Sequence, residues 1–312
     1  MGIVSPVGST LDDAWRNVYE GNSGTVVVDD FDTSTYPTRI AGLVQGFDVD
    51  AYLAKKDQRK NDPFIHYSVG ASVDAIRDSG LEITEENGHR IGVALGAGIG
   101  GIQTIEDNLK KMFEGGVRKV SPFFIPGSII NMASGQVSIL QHITGPNISI
   151  VTACATSTHC IGLAARSIEH GDADVMLAGG GEHSTSPLAM AGFCAARAMS
   201  TRNDDPTDWQ PICTLLSPSG TPVATCNNPD QAAIDDYYRL LRVEAPEPGN
   251  WQLRIAGLSS QLVKSYIWAH VENPGERGGS IIGSGIGGLQ TIEEQYSTLK
   301  KKGPRRVSPY FV

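Results

Sequence analysis

Three apolar runs constrain this chain more than any other feature: residues 90–95, 147–152 and 174–180. The last two in particular lack the strict alternation of a half-wetted sheet, and such runs belong to strands covered on both faces. Helical stretches lie around them. Residues 11–20 end at Gly21, residues 67–79 set Val69, Val73 and Ile76 on one face and end at Gly80, and residues 104–113 precede Gly115-Gly116. A further helix, residues 155–169, follows the second run and closes at His170-Gly171. Glycine just past the last periodic residue is a usual helix stop. The alternation predicts an α/β fold with a buried sheet.

At 312 residues the chain can build one large or two modest domains. Its net charge of −9 argues against a nucleic-acid ligand, whose phosphates need a basic surface. A membrane span is not expected, because no stretch approaches the run of about 20 apolar residues that crossing requires. The opening residues lack the basic and apolar regions of a signal peptide. Five cysteines is an odd number without zinc-like pairing. That spacing argues against a disulfide framework and a metal site, and favours the cytoplasm.

After residue 211 the character changes. Residues 217–222 and 227–230 carry turn chemistry, and Trp251, Leu253 and Ile255 alternate with polar neighbours like a half-buried strand. Residues 237–244 and 262–271 are further strand candidates. Residues 277–312 then align without gaps on residues 90–125, with 17 of 36 positions identical. A solenoid would need three or more adjacent copies. The expected organisation is therefore 1–211 as one α/β unit, 212–276 as a β-rich segment, and 277–312 as a duplicated fragment in a chain of chimeric appearance.

Cys154 is the leading candidate for chemistry. It lies between a strand and a helix, where a thiol meets the positive end of the helix dipole and unpaired backbone amides. That setting favours the thiolate needed for acyl transfer and can hold an oxyanion. On local pattern alone a buried structural cysteine is an equal alternative. Gly96-Ala-Gly-Ile-Gly-Gly hints at a phosphate loop, but no Lys-Ser/Thr pair or ribose-binding acid accompanies it. His159 lies five positions past Cys154 and on another helix face. His183 falls near the site without an assigned role, and His66, His89, His142 and His170 read as surface residues.

The sequence around the nucleophile, Asn147-Ile-Ser-Ile-Val-Thr-Ala-Cys154-Ala-Thr-Ser-Thr-His, resembles the motif of the β-ketoacyl-acyl-carrier-protein synthase II family. So do Ser5-Pro-Val-Gly, Ser79-Gly-Leu-Glu-Ile-Thr-Glu-Glu-Asn, Ser121-Pro-Phe-Phe-Ile-Pro, Gly171-Asp-Ala-Asp-Val-Met and Ala195-Ala-Arg-Ala-Met-Ser-Thr-Arg-Asn-Asp. These motifs keep family order over about two-thirds of the chain. The resemblance implies an incomplete thiolase-like half and acyl transfer onto Cys154 in fatty-acid synthesis. It implies an acyl pocket lined by Ile99, Phe123 and Phe124, although plain core packing explains those three equally well without it. No cofactor is implied. The implied partners are acyl carrier protein, acyl and malonyl thioesters, and a second copy in a homo-oligomer; an acidic carrier can dock on a local basic patch despite the net charge.

The family's two C-terminal histidine motifs, its lysine and its Phe-Gly-Gly loop have no counterpart here, and His270 reads as a strand histidine. Loading without condensation is therefore expected. Other readings are a non-catalytic chain-length-type partner, which the retained Cys154 disfavours, and an adhesion module. Residues 212–275 weakly resemble a hairpin that follows von Willebrand factor A domains.

Overall fold

In a computed structural model, residues 1–204 are described throughout. Beyond them it describes the backbone of three strands, at 212–216, 222–226 and 252–256, and Thr298, Leu299 and Lys301. The candidate strands at 237–244 and 262–271, with His270, lie outside the described residues, as does most of the duplicated fragment.

The helices are α1 (Leu11–Glu20), α2 (Lys55–Gln58), α3 (Pro63–Ser79), α4 (Ile102–Gly115), α5 (Phe124–Ser128), α6 (Met132–Gln141), α7 (Thr156–Glu169) and α8 (Pro187–Ala195). The strands of the first 204 residues are β1 (Thr25–Val27), β2 (Ile40–Gly42), β3 (Ile91–Gly96), β4 (Asn147–Ile148) and β5 (Val175–Gly180). Local chemistry sets several ends. Thr10 caps α1, and Gly21 closes it in the left-handed conformation that glycine tolerates. Asp62 caps α3, which begins on Pro63, so α3 starts a turn earlier than its apolar face suggests. Thr156 follows a tight 3-10 turn, Ala153–Ala155, that carries Cys154 just ahead of α7.

β4, β3 and β5 form a parallel sheet in that order, with Val93 opposite Asn147 and Ile91 to Gly96 opposite Val175 to Gly180. An Arg90 fork on Asp174 ties the entries of β3 and β5. The central strand β3 is buried along its whole length. Its two faces differ in size. Ile91, Val93 and Leu95 join Phe64, Ile65 and Val69 of α3 and Ala133 and Val137 of α6 in the main core. On the other face Ala94 packs with Cys160 and Ala164 of α7. The flanking strands correct one expectation: β4 spans only two residues, and β5 is partly open rather than sealed. Both are edges of the described sheet, so each lacks a neighbour that would cover it.

The smaller elements complete the unit. β1 and β2 pair antiparallel, and Ala41 and Leu43 pack with Val28, Tyr36 and Met190 of α8. Helix α8 is apolar all round and buried, which explains why no period betrays it in the sequence. The later strands β6 (Ile212–Leu216), β7 (Pro222–Cys226) and β8 (Gln252–Ala256) form an antiparallel sheet in the order β7-β6-β8, with Cys213 in register with Cys226.

Candidate active site

In a parallel sheet, ligands gather beyond the carboxyl ends of the strands, because the connecting loops converge there. The loops after β3, β4 and β5 meet at that edge. The loop after β4 makes the turn that bears Cys154. Ala153 has a φ of 50°, a left-handed conformation that costs an alanine about 1 to 2 kcal/mol. The strain is held by Thr156, whose buried hydroxyl accepts from the Thr152 amide at 2.9 Å and donates to the Ala153 carbonyl at 2.7 Å. His159 reaches back past the start of α7, its Nδ1 2.7 Å from Thr152 Oγ1. The turn is braced from both ends and leaves Cys154 exposed.

The second cysteine of the helix shows the contrast. Cys160 is fully buried, and burial pushes its thiol above the ordinary range. Only close approach makes this arrangement possible. A Cβ on Gly96 would lie 2.1 Å from the Ile150 carbonyl oxygen, 2.6 Å from Thr156 Cγ2 and 3.3 Å from Cys160 Sγ. Gly180, opposite Gly96, would meet Ser157 Oγ at 2.6 Å. The small strand ends let α7 settle on the sheet and bring Cys154 to its edge.

The glycine-rich loop after β3 is not an open anion cradle. The amides of Gly98 and Ile99 donate to Glu182 Oε2 at 2.6 and 2.9 Å, and Gly100 donates to Oε1 at 3.1 Å. Glu182 follows β5, so one carboxylate stitches the β5 loop to the β3 loop. Gly98 in turn borders Ala153, where an added Cβ would sit 3.4 Å away. Sequence reasoning passed over Glu182; its signal was the Gly179-Gly-Gly-Glu run leaving a buried strand. The neighbouring His183 packs edge-on against Tyr67, their ring centroids 5.8 Å apart. Burial holds its pKa below the usual imidazole value. Both rings line a cavity of about 400 Å³ with Asp30 and residues 180–185.

The other expected site residues are dispersed. Ile99 is half-buried in the loop beside the Cys154 turn. Phe124 packs with Ile105, Leu109 and Leu188 between α4 and α8. Phe123 is 43% exposed, with Lys60 Nζ 5.5 Å over its ring. His66 departs from its reading as a surface residue: it lies within α3, half-buried, with Nε2 3.0 Å from the Gln58 carbonyl. His89, His142 and His170 are exposed. No group of three or more potential metal-ligating side chains occurs among the described residues.

Comparison with known proteins bears on the same residues. A family model described as the N-terminal domain of β-ketoacyl synthases matches residues 1–211. The 3-oxoacyl-[acyl-carrier-protein] synthase 2 of Vibrio cholerae is 54% identical over 206 residues, 66% of this chain and 50% of that protein. A crystal structure of a β-ketoacyl synthase from Burkholderia phymatum is similar with a TM-score of 0.59 and 29% identity, over 66% of this chain and 51% of that one. A type II polyketide acyl-carrier protein in complex with its ketosynthase gives 0.53 and 25%, over 64% and 53%. The chain spans about half the length of the curated relatives it matches.

Proposed function

The chain belongs to the β-ketoacyl synthase family, and on that premise we propose that residues 1–211 carry the acyl-accepting step of a condensing enzyme of fatty-acid synthesis. The observation that supports this most is the braced, exposed Cys154 turn at the carboxyl edge of the sheet. In the proposed step the Cys154 thiolate attacks the carbonyl carbon of an acyl thioester on acyl carrier protein. The carbon–sulfur bond to the carrier breaks, the acyl chain stays on Cys154, and the carrier leaves as a thiolate that takes up the released proton. Thr156 and His159 act as positioning residues that hold the turn, and Glu182 fixes the neighbouring loop.

Ile99, beside the Cys154 turn, is the residue we assign to the near end of the acyl pocket. Phe123 and Phe124 belong to its far side in the same reading. Lys60 over Phe123, with Arg118 and Lys119 in the adjoining turn, offers a local basic patch to an acidic carrier in spite of the net charge. Condensation is a separate matter. It needs donors for the charge that builds on an enolate oxygen, and losing one such donor typically costs about 10² to 10³ in rate. The family's histidine motifs for that task have no counterpart in the 312 residues, so the proposal is confined to the loading step. Self-association is expected where apolar side chains face water, as Leu11, Trp15, Val18 and Tyr19 do on α1, and Ile161 and Ile168 on α7. No helix among the described residues is long and apolar enough to cross a membrane. The cytoplasm is the compartment we propose for the loading step.

The test is incubation with an acyl-carrier thioester followed by intact-mass analysis. One acyl adduct, absent from Cys154→Ser, is the expected result. An adduct that survives in that variant, or none under conditions where the chain is folded, would refute the assignment. Radiolabelled malonyl carrier added to the loaded chain should give no β-ketoacyl product.

A further inference from the structure

Three consecutive backbone amides of the loop after β3 converge on one carboxylate: Gly98 and Ile99 donate to Oε2 of Glu182, and Gly100 donates to its Oε1. Successive N–H groups arranged in this way form a concavity that ordinarily takes an anion from solution. Here the chain supplies the anion itself. Glu182 reaches the amides because Gly180, the last residue of β5, is in register with Gly96, the last residue of β3, so the two loops leave the sheet side by side. Glu182 is exposed, so a free anion can reach the same place once the side chain is gone.

The loop is shaped for this contact. A Cβ added to Gly98 would lie 2.9 Å from Glu182 Oε2, and Gly100 has a φ of 79°, the left-handed conformation that glycine adopts freely. The loop is also held from elsewhere. Gly101 donates to the Ser128 carbonyl at 3.0 Å, and a Cβ on Gly100 would meet Ile130 Cγ1 at 2.6 Å. Ile99 therefore sits in a loop clamped twice, once by Glu182 and once by the end of α5. Its own amide is the second of the three donors, so the carboxylate fixes the backbone from which the isoleucine side chain departs.

We propose that Glu182 is a positioning residue that sets which acyl-chain lengths are accepted: as the built-in anion of the amide nest, it holds Ile99 in place at the near end of the acyl pocket. The proposal rests on the acyl-transfer reading for its chemistry, and Glu182 acts only through the loop. A short acyl group ends close to the Cys154 thiol, whereas a long one must pass Ile99. A wall that is held still discriminates between lengths, and one released from its carboxylate yields to both. A single methylene in a rigid apolar pocket is worth about ten-fold or more in selectivity, so the change is large enough to measure.

Glu182→Ala on the full chain tests it, with and without sodium formate, whose carboxylate fits the vacated nest; sodium chloride at equal ionic strength is the control. Hydrogen exchange across residues 97–101 should speed by about ten-fold or more in the variant, because bonds to a charged acceptor are lost. Formate, but not chloride, should slow it again. Loading is then timed with butyryl and tetradecanoyl thioesters of acyl carrier protein. The parent should prefer one length, the variant should bring the two rates closer by about ten-fold, and formate should restore the preference. Glu182→Gln keeps the shape and one acceptor oxygen, so it should fall between the two; it also carries the comparison if Glu182→Ala fails to fold. Unchanged exchange in a folded variant would overturn the proposal. So would freed exchange with an unchanged length preference, or a parent that loads both lengths alike. A parent that takes no acyl group would bring down the acyl-transfer reading and the length selection with it, and the exchange arm separates that failure from a failure of the nest.

Discussion

Adding one methyl group at Gly96 and one at Gly162 should move stability in opposite directions, although both glycines lie at the contact between β3 and α7 or within α7 itself. At Gly96 the new Cβ would sit 2.1 Å from the Ile150 carbonyl oxygen and 2.6 Å from Thr156 Cγ2. The first of these is backbone and cannot turn aside, so either the exit of β4 or the start of α7 must move. Overpacking of this kind costs about 1 to 3 kcal/mol and occasionally more; with a backbone clash this deep, Gly96→Ala belongs at the upper end, about 3 kcal/mol. At Gly162, in the middle of α7, an added Cβ meets nothing within 4 Å. Glycine in a helix interior is about 1 kcal/mol worse than alanine, so Gly162→Ala should stabilise by about that amount. Urea unfolding followed by helix circular dichroism would read both, for a spread of about 4 kcal/mol. Acyl loading supplies a second readout: Ile150 and Thr156 flank the Cys154 turn, so folded Gly96→Ala should load more slowly, while Gly162→Ala should load like the parent. A Gly96→Ala protein within about 0.5 kcal/mol of the parent, loading normally, would refute the claim that close approach of α7 to β3 positions the nucleophile.

Three further outcomes follow from the same geometry. Brief iodoacetamide treatment of the folded chain should label Cys154 well before Cys160, whose thiol is buried and raised; peptide mapping that finds Cys160, Cys213 or Cys226 first would contradict this. Thr156→Val removes a buried hydroxyl that both accepts and donates across the turn, and should cost about 1 to 3 kcal/mol in denaturant unfolding while slowing acyl loading of the folded protein. Burial pushes the Asp62 carboxyl up to about 6, against the pull of the Thr104 and Phe64 amides that it caps. A carboxyl raised in the folded state contributes stability below its unfolded value, near 4, and loses it as pH rises through about 6. The stability of Asp62→Asn relative to the parent should therefore improve from pH 4 to pH 7, by on the order of 3 kcal/mol; a flat difference across that range would show that the carboxyl titrates normally.

Much of this protein was legible in its sequence, because local rules act on neighbouring residues. Gly21 and Gly80 end their helices in the left-handed conformation, as expected from side-chain-free residues at helix stops. The apolar run at 90–95 became the buried central strand, and Cys154 stands between strand and helix where its flanking pattern put it. Other features needed the folded chain. Helix α8 carries no period, since every face of it is buried, and only packing could reveal it. The run at 147–152 looked like a covered strand but pairs for two residues at a sheet edge, because coverage depends on neighbours that the run itself cannot supply. The Gly96 loop and Glu182 lie more than eighty residues apart in the chain, and parallel pairing of β3 with β5 brings their ends side by side. Which glycine must stay a glycine was likewise settled in three dimensions. Gly96 and Gly162 are alike as letters, and they differ because a Cβ added to one would meet a carbonyl oxygen at 2.1 Å and a Cβ added to the other would meet open space.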